Sequence, residues 1–159
     1  MALSDLGLPT DRTIIMGILN VTPDSFADGG RYSDFDRALA RGMVMIKEGA
    51  DIIDVGGEST RPGSTRICAE EEMERVLPVI EALSAHGTLL SIDTTRASTA
   101  QAAFAAGARI INDVSAGLLD PEILEVSASL GCPYIAMHSR GESKDMQSRA
   151  IYHDVVKEV

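Results

Sequence analysis

The sequence predicts an α/β fold built on a parallel sheet, and three observations carry that expectation. Apolar runs of strand length recur along the chain. A stretch of helical character follows each run. Polar residues collect at the C-terminal end of run after run. Strands alternating with helices imply βα units with right-handed crossovers. The length fits: 159 residues, 45% of them hydrophobic, can bury a core in one domain.

The elements follow in order. Residues 14–21 (IIMGILNV) are short, branched and almost continuously apolar, as a strand buried on both faces should be. Residues 51–55 (DIIDV), 89–92 (LLSI), 109–114 (RIINDV) and 133–137 (PYIAM) repeat the pattern. Met73, Val76, Leu77, Ile80 and Leu83 form one apolar helical stripe, which Pro78 is expected to kink or shorten. Residues 97–106 are alanine-rich and stop at Gly107. Another helix opens with Asp120 as N-cap and Pro121 at its first position, and ends at Gly131. A last helix is expected from about Ile151, where Tyr152, Val155, Val156 and Val159 share a face. Two architectures suit this pattern, an open doubly wound sheet and a (β/α)8 barrel. No G-x-G-x-x-G follows the first strand, which disfavours the dinucleotide-binding version of the open sheet.

Composition narrows the function. Fourteen basic against 24 acidic side chains leave a net charge of −10, contrary to a nucleic-acid binder or a partner of anionic membranes. Cys68 and Cys132 are too few for a disulfide framework and lack metal-ligand spacing. Without a secretory signal or a span of about 20 apolar residues, a soluble cytoplasmic protein is expected.

The polar strand ends point to chemistry. Asn20, Asp54, Asp93-Thr94, Asn112-Asp113 and His138 each follow an apolar run. In parallel α/β folds such ends share one rim, where these folds bind ligands. Asp and Asn also cap the helices that follow strands, so a single one carries little; five together carry more. Two loops join them. Residues 22–32 (TPDSFADGGRY) are long for a βα loop, with Phe26 at the centre. Residues 56–66 (GGESTRPGSTR) hold three glycines, four hydroxyls and two arginines, a set suited to an oxyanion. Asn20 is a poor base but a good neutral oxygen ligand, so it reads with Arg61 and glycine amides as a site for Mg²⁺ plus diphosphate. Asp93 and Asn112 on adjacent strands offer acceptors beside a mixed donor and acceptor, which suits the edge of an amino-oxo heterocycle. Met137 could wall such a ring, or serve only as core. His138 reads as a rim or structural histidine.

Five segments now converge on a family. Residues 16–26 (MGILNVTPDSF), 54–63 (DVGGESTRPG), 91–94 (SIDT), 111–115 (INDVS) and 137–140 (MHSR) resemble dihydropteroate synthase, in the expected order and across essentially the whole chain. The resemblance implies a pterin-binding (β/α)8 TIM barrel, present over residues 1–159 as an incomplete barrel of strands 1–5. It implies a transferase of folate biosynthesis that joins p-aminobenzoate to 6-hydroxymethyl-7,8-dihydropterin diphosphate and releases pyrophosphate. Asn20 then corresponds to the Mg²⁺ ligand, and Thr60 and Arg61 to substrate contacts. Asp93 and Asn112 correspond to the pterin contacts, and Phe26 and Pro62 to loop positions near the p-aminobenzoate pocket where sulfonamides compete. Asp93, Asn112 and Arg61 are the residues expected to carry catalysis. Family chemistry is dissociative, with the C–O bond to diphosphate breaking before the arylamine captures the pterin cation. The strand-six Asp, strand-seven Lys and strand-eight Arg and His of the family lie in strands beyond the five present here. So do the helices of the family's homodimer, which is expected of the intact enzyme and not of five strands alone. A pterin-binding methyltransferase domain and a self-associating, non-catalytic fragment are the alternative readings.

Overall fold

A computed structural model describes residues 3–22, 31–59, 66–141 and 146–159. After a 3-10 turn at Leu3–Leu6 the described elements alternate: β1 (Met16–Asn20), α1 (Arg31–Lys47), β2 (Ile52–Gly56), α2 (Ala69–Ser84), β3 (Leu89–Asp93), α3 (Ala97–Ala106), β4 (Ile110–Asp113), α4 (Glu122–Leu130), β5 (Tyr134–Ala136), α5 (Met146–Arg149) and α6 (Val155–Glu158). All strand pairs are parallel, in the consecutive order β1-β2-β3-β4-β5. Successive helices pack side by side, α1 on α2, α2 on α3 and α3 on α4. A doubly wound sheet reverses its strand order at a switch point; this one does not. Consecutive order with neighbouring helices is the arrangement of (β/α)8 barrels, here over five strands.

Strand alternation sorts the side chains into two sets. Leu19, Ile53, Val55, Leu90, Ile92 and Ile111 face the helices and form the core with Val76, Val79, Ile80, Leu83, Ala100 and Ala103. The other set, which in a closed barrel would line the interior, stacks in rows set by the register: Met16, Ile52 and Leu89; then Ile18, Asp54, Ser91 and Ile110; then Asn20, Gly56, Asp93, Asn112 and Ile135 at the C-terminal rim. The continuously apolar β1 is therefore not buried on both faces. Its Ile18 is 64% exposed, because nothing among the described residues covers the inner face there.

Several helix boundaries depart from the sequence reading. Helix α1 starts at Arg31, two residues inside the segment read as loop. Helix α2 runs unbroken through Pro78 for 16 residues, so the proline does not shorten it. The lost N–H and ring clash cost about 3 kcal/mol, offset by burial of Val76, Val79, Ile80 and Leu83 along the same helix. Helix α3 ends at Gly107, whose φ of +126° and approach to Ser84 (2.6 Å from an added Cβ to the Ser84 Cβ) exclude any side chain there. The helix expected from Ile151 begins at Val155 instead. Asp154 caps it by accepting from the Lys157 N–H, and the Glu158 carboxylate reaches back to the N–H groups of His153 and Asp154.

Asp120 does more than cap α4. Its Oδ1 accepts from the Glu122 N–H (3.2 Å), and its Oδ2 accepts from the Ala97 N–H (2.7 Å) at the start of α3. One carboxylate thus satisfies orphan donors of two helices.

Candidate functional site

The C-terminal rim brings Asn20, Gly56, Asp93 and Asn112 level with one another on adjacent strands. Gly56 leaves a gap in that row. A Cβ there would lie 3.3 Å from Asp93 Oδ2 and 3.6 Å from Asn20 Oδ1, so two oxygens border a space only glycine leaves open. Asp93 and Asn112 are half-buried and face one another directly in the register.

One row below lies Asp54, inside β2 and not at its end as the sequence reading had it. It is 3% exposed, and its Oδ2 accepts from Asn112 Nδ2 at 2.9 Å. Its Oδ1 and the hydroxyl of fully buried Ser91 alongside have no hydrogen-bond partner among the described residues. Burial pushes the Asp54 carboxyl above its ordinary range, while nearby Ser91 and Asn112 favour the ionised form. Asp93 is raised to about 7, by burial first and then by the negative charges of Asp54, Glu72, Asp113 and Glu58.

Asp113, also read as a rim group, points the other way. It is fully buried on the helix side and accepts from the Ser115 N–H (2.7 Å), the Gly117 N–H (2.8 Å) and the Tyr134 hydroxyl (2.6 Å). Its role is to brace the turn after β4. Met137 continues the inner-face alternation beyond Ile135, and its N–H donates to the Asp113 carbonyl (3.1 Å). Its side chain is 40% exposed at the rim, not core. His138 is exposed, with Nε2 3.0 Å from the Tyr152 hydroxyl. The Arg140 guanidinium lies over the Tyr152 ring, tying the C-terminal segment to the end of β5.

Phe26, Thr60, Arg61 and Pro62 lie outside the described residues. The base of the segment that carries the last three is described. The Glu58 carboxylate accepts from Arg96 (2.8 Å), Arg66 Nε (3.2 Å) and the Ile67 N–H (3.4 Å), joining the two ends of residues 59–66. Arg66 also donates to Thr95 Oγ1 (2.9 Å). Arg96 continues to the buried Glu72 (2.7 Å), which also accepts from the Thr99 hydroxyl (3.0 Å). Sequence reading gave Asp54 no role beyond a polar strand end, and it missed Ser91 and this network. The first two were recoverable, since each precedes a rim residue by two positions and so shares its face. The network joins residues too far apart in sequence for any local pattern to reveal.

As for a metal, no cluster of three or more His, Cys, Asp or Glu side chains among the described residues forms a protein-built cage. The rim offers a different donor set: one exposed neutral oxygen on Asn20, beside the space at Gly56. That suits an ion taking most of its oxygens from water and a bound diphosphate, as Mg²⁺ does.

Comparison with known proteins agrees with the fold. Residues 16–159 match the family described as pterin binding enzyme, and the chain belongs to that family. It is 50% identical over 146 residues to a dihydropteroate synthase of Mycobacterium leprae, covering 91% of this chain and 51% of that protein. It is 49% identical over 156 residues to a mitochondrial bifunctional folate synthesis protein of Arabidopsis thaliana, covering 94% of this chain and 28% of that one. A crystal structure of Xanthomonas albilineans dihydropteroate synthase with 4-aminobenzoic acid superposes with a TM-score of 0.84 at 49% identity, over 95% of this chain and 53% of that one. The chain thus spans about half the length of the single-function relatives it matches.

Proposed function

We propose that this chain supplies the pterin- and diphosphate-binding part of a dihydropteroate synthase. The reaction condenses p-aminobenzoate with 6-hydroxymethyl-7,8-dihydropterin diphosphate to 7,8-dihydropteroate and pyrophosphate. The observation that carries the reading is the in-register pair Asp93 and Asn112 at the rim, two strands from Asn20 across the Gly56 gap. The Asp93 carboxylate accepts ring N–H groups. The Asn112 amide, with one N–H already given to Asp54, meets the ring with its other N–H and Oδ1.

The chemistry asks for positioning and charge neutralisation. A C–N bond forms between the arylamine nitrogen and the pterin methylene carbon, the C–O bond to diphosphate breaks, and the amine sheds a proton. Thr60 and Arg61 would hold the leaving diphosphate, Phe26 and Pro62 would border the arylamine, and Met137 would wall the ring. Mg²⁺ at Asn20, when bound, would offset charge on the diphosphate. Fixed donors of this kind lower a barrier without a strong base. A cytoplasmic location and a homodimeric intact enzyme complete the proposal; among the described residues no helix is long and apolar enough to cross a membrane.

Pyrophosphate release by the full-length enzyme tests the proposal. Asp93→Ala and Asn112→Ala should each cut it at least a hundredfold, as loss of a well-placed transition-state contact does. Near-normal turnover in either would overturn the pterin assignment. The diphosphate substrate should bind far more tightly with Mg²⁺ than with EDTA, and equal affinity in calorimetry would remove Asn20 from the metal role.

A further inference from the structure

An asparagine amide is nearly symmetric in shape, and only its partners decide which end faces which way. Asn112 has one such partner among the described residues, the Asp54 carboxylate at 2.9 Å. An ionised carboxylate only accepts, so it draws the NH2 end of the amide toward itself and turns the remaining N–H and Oδ1 toward the rim.

Asp54 has no evident structural reason to be a carboxylate. It sits 3% exposed in the row it shares with Ile18, Ser91 and Ile110. Among the described residues no ion pair offsets its charge, and its Oδ1 has no hydrogen-bond partner there, with only the Ser91 hydroxyl nearby. Burying such a group unpaired is costly, and an apolar side chain there would avoid the cost. Its one described hydrogen bond goes up to Asn112.

We infer that Asp54 is a positioning and specificity-determining residue: it fixes the orientation of the Asn112 amide and thereby the order in which donor and acceptor meet the ring. This rests on the reading of Asp93 and Asn112 as ring contacts. With Asp54→Asn, either end of the Asn112 amide finds a partner below, and the order is no longer imposed.

The experiment measures discrimination. Calorimetry on the full-length protein compares 6-hydroxymethylpterin with the isomer whose 2-amino and 4-oxo groups are exchanged, which reverses donor and acceptor along that edge. The unsubstituted protein should prefer the pterin at least thirtyfold, and Asp54→Asn should shrink that preference tenfold or more. A merely structural role would weaken both ligands together and leave their ratio unchanged. An unchanged ratio in folded Asp54→Asn overturns the inference and spares the site reading. Absence of pterin binding by the unsubstituted protein overturns both. Should Asp54→Asn not fold, Asp54→Ser decides by the same comparison: a hydroxyl both donates and accepts, so the preference should again shrink. An unchanged ratio in folded Asp54→Ser overturns the inference.

Discussion

Asp93 stands under two opposing demands. Burial and the surrounding carboxylates favour its proton, while a ligand offering N–H groups needs its charge. Raising a carboxyl from the usual 3.8 to about 7 means that the folded protein binds a proton there that the unfolded chain has released. The stability from that proton is full below pH about 4 and disappears as pH rises through 7. Asp93→Asn should therefore stabilise the fold at pH 8, on the order of 4 kcal/mol at ~1.4 kcal/mol per pKa unit, and change it little at pH 4. Urea unfolding at the two values checks the sign. Binding runs the other way: pterin affinity should rise several-fold between pH 6 and 8, which calorimetry reads directly, and a flat profile would show that Asp93 is already charged at pH 6. Asp93 and Asn112 were legible because each ends an apolar run. Asp54 was legible as polar, but its depth required the register. The sequence alone could not say that Asp113, next to Asn112, faces the helices, since that depends on where the alternation starts.

Among the elements, core-facing strands and alanine-rich α3 were readable to within a residue or two, because period and composition agree there. Where tertiary contacts override local signals, reading failed: α2 tolerates Pro78 because its buried face compensates, and α6 starts late because Asp154 and Glu158 cap it. The ion network between β2 and α3 is a tertiary feature of the same kind. Its centre is Glu72, 1% exposed, bonded to Arg96 and Thr99. Glu72→Ala removes one partner of a buried pair and should destabilise by about 3 kcal/mol. Glu72→Gln should cost less because it keeps a hydrogen bond to Thr99 or Arg96. Equal unfolding midpoints for Glu72→Ala and the unsubstituted chain would show that Glu58 alone suffices for Arg96. Asp120→Ala should cost about 1–2 kcal/mol, the upper range for a helix cap, because it uncaps two helices at once.

At the scale of the molecule, helices cover one face of the described sheet; on the other, β2–β4 bury Ile52, Asp54, Ser91 and Ile110 while β1 leaves Ile18 exposed. A (β/α)8 barrel fills its interior with side chains from all its strands; here Ile18 and Asn20 on β1 face space that the described residues leave uncovered. Strand β5, one edge, is only three residues long, so that edge is shorter than the apolar run 133–137 implied. The 159-residue chain purified alone should release no pyrophosphate above background, and its elution volume should shift with concentration as inner faces or β1 edges meet. Robust turnover would show that five strands hold a working site. A concentration-independent monomer would show that the open face is tolerated.

The shared carboxylate of Asp120 has a temporal side as well. Because the same group closes the first turns of α3 and α4, fraying at one start releases the donor pairing at the other. The amides of Ala97 and Glu122, 25 positions apart, then share one opening equilibrium, and two helix ends at the C-terminal rim of the sheet breathe as a single unit.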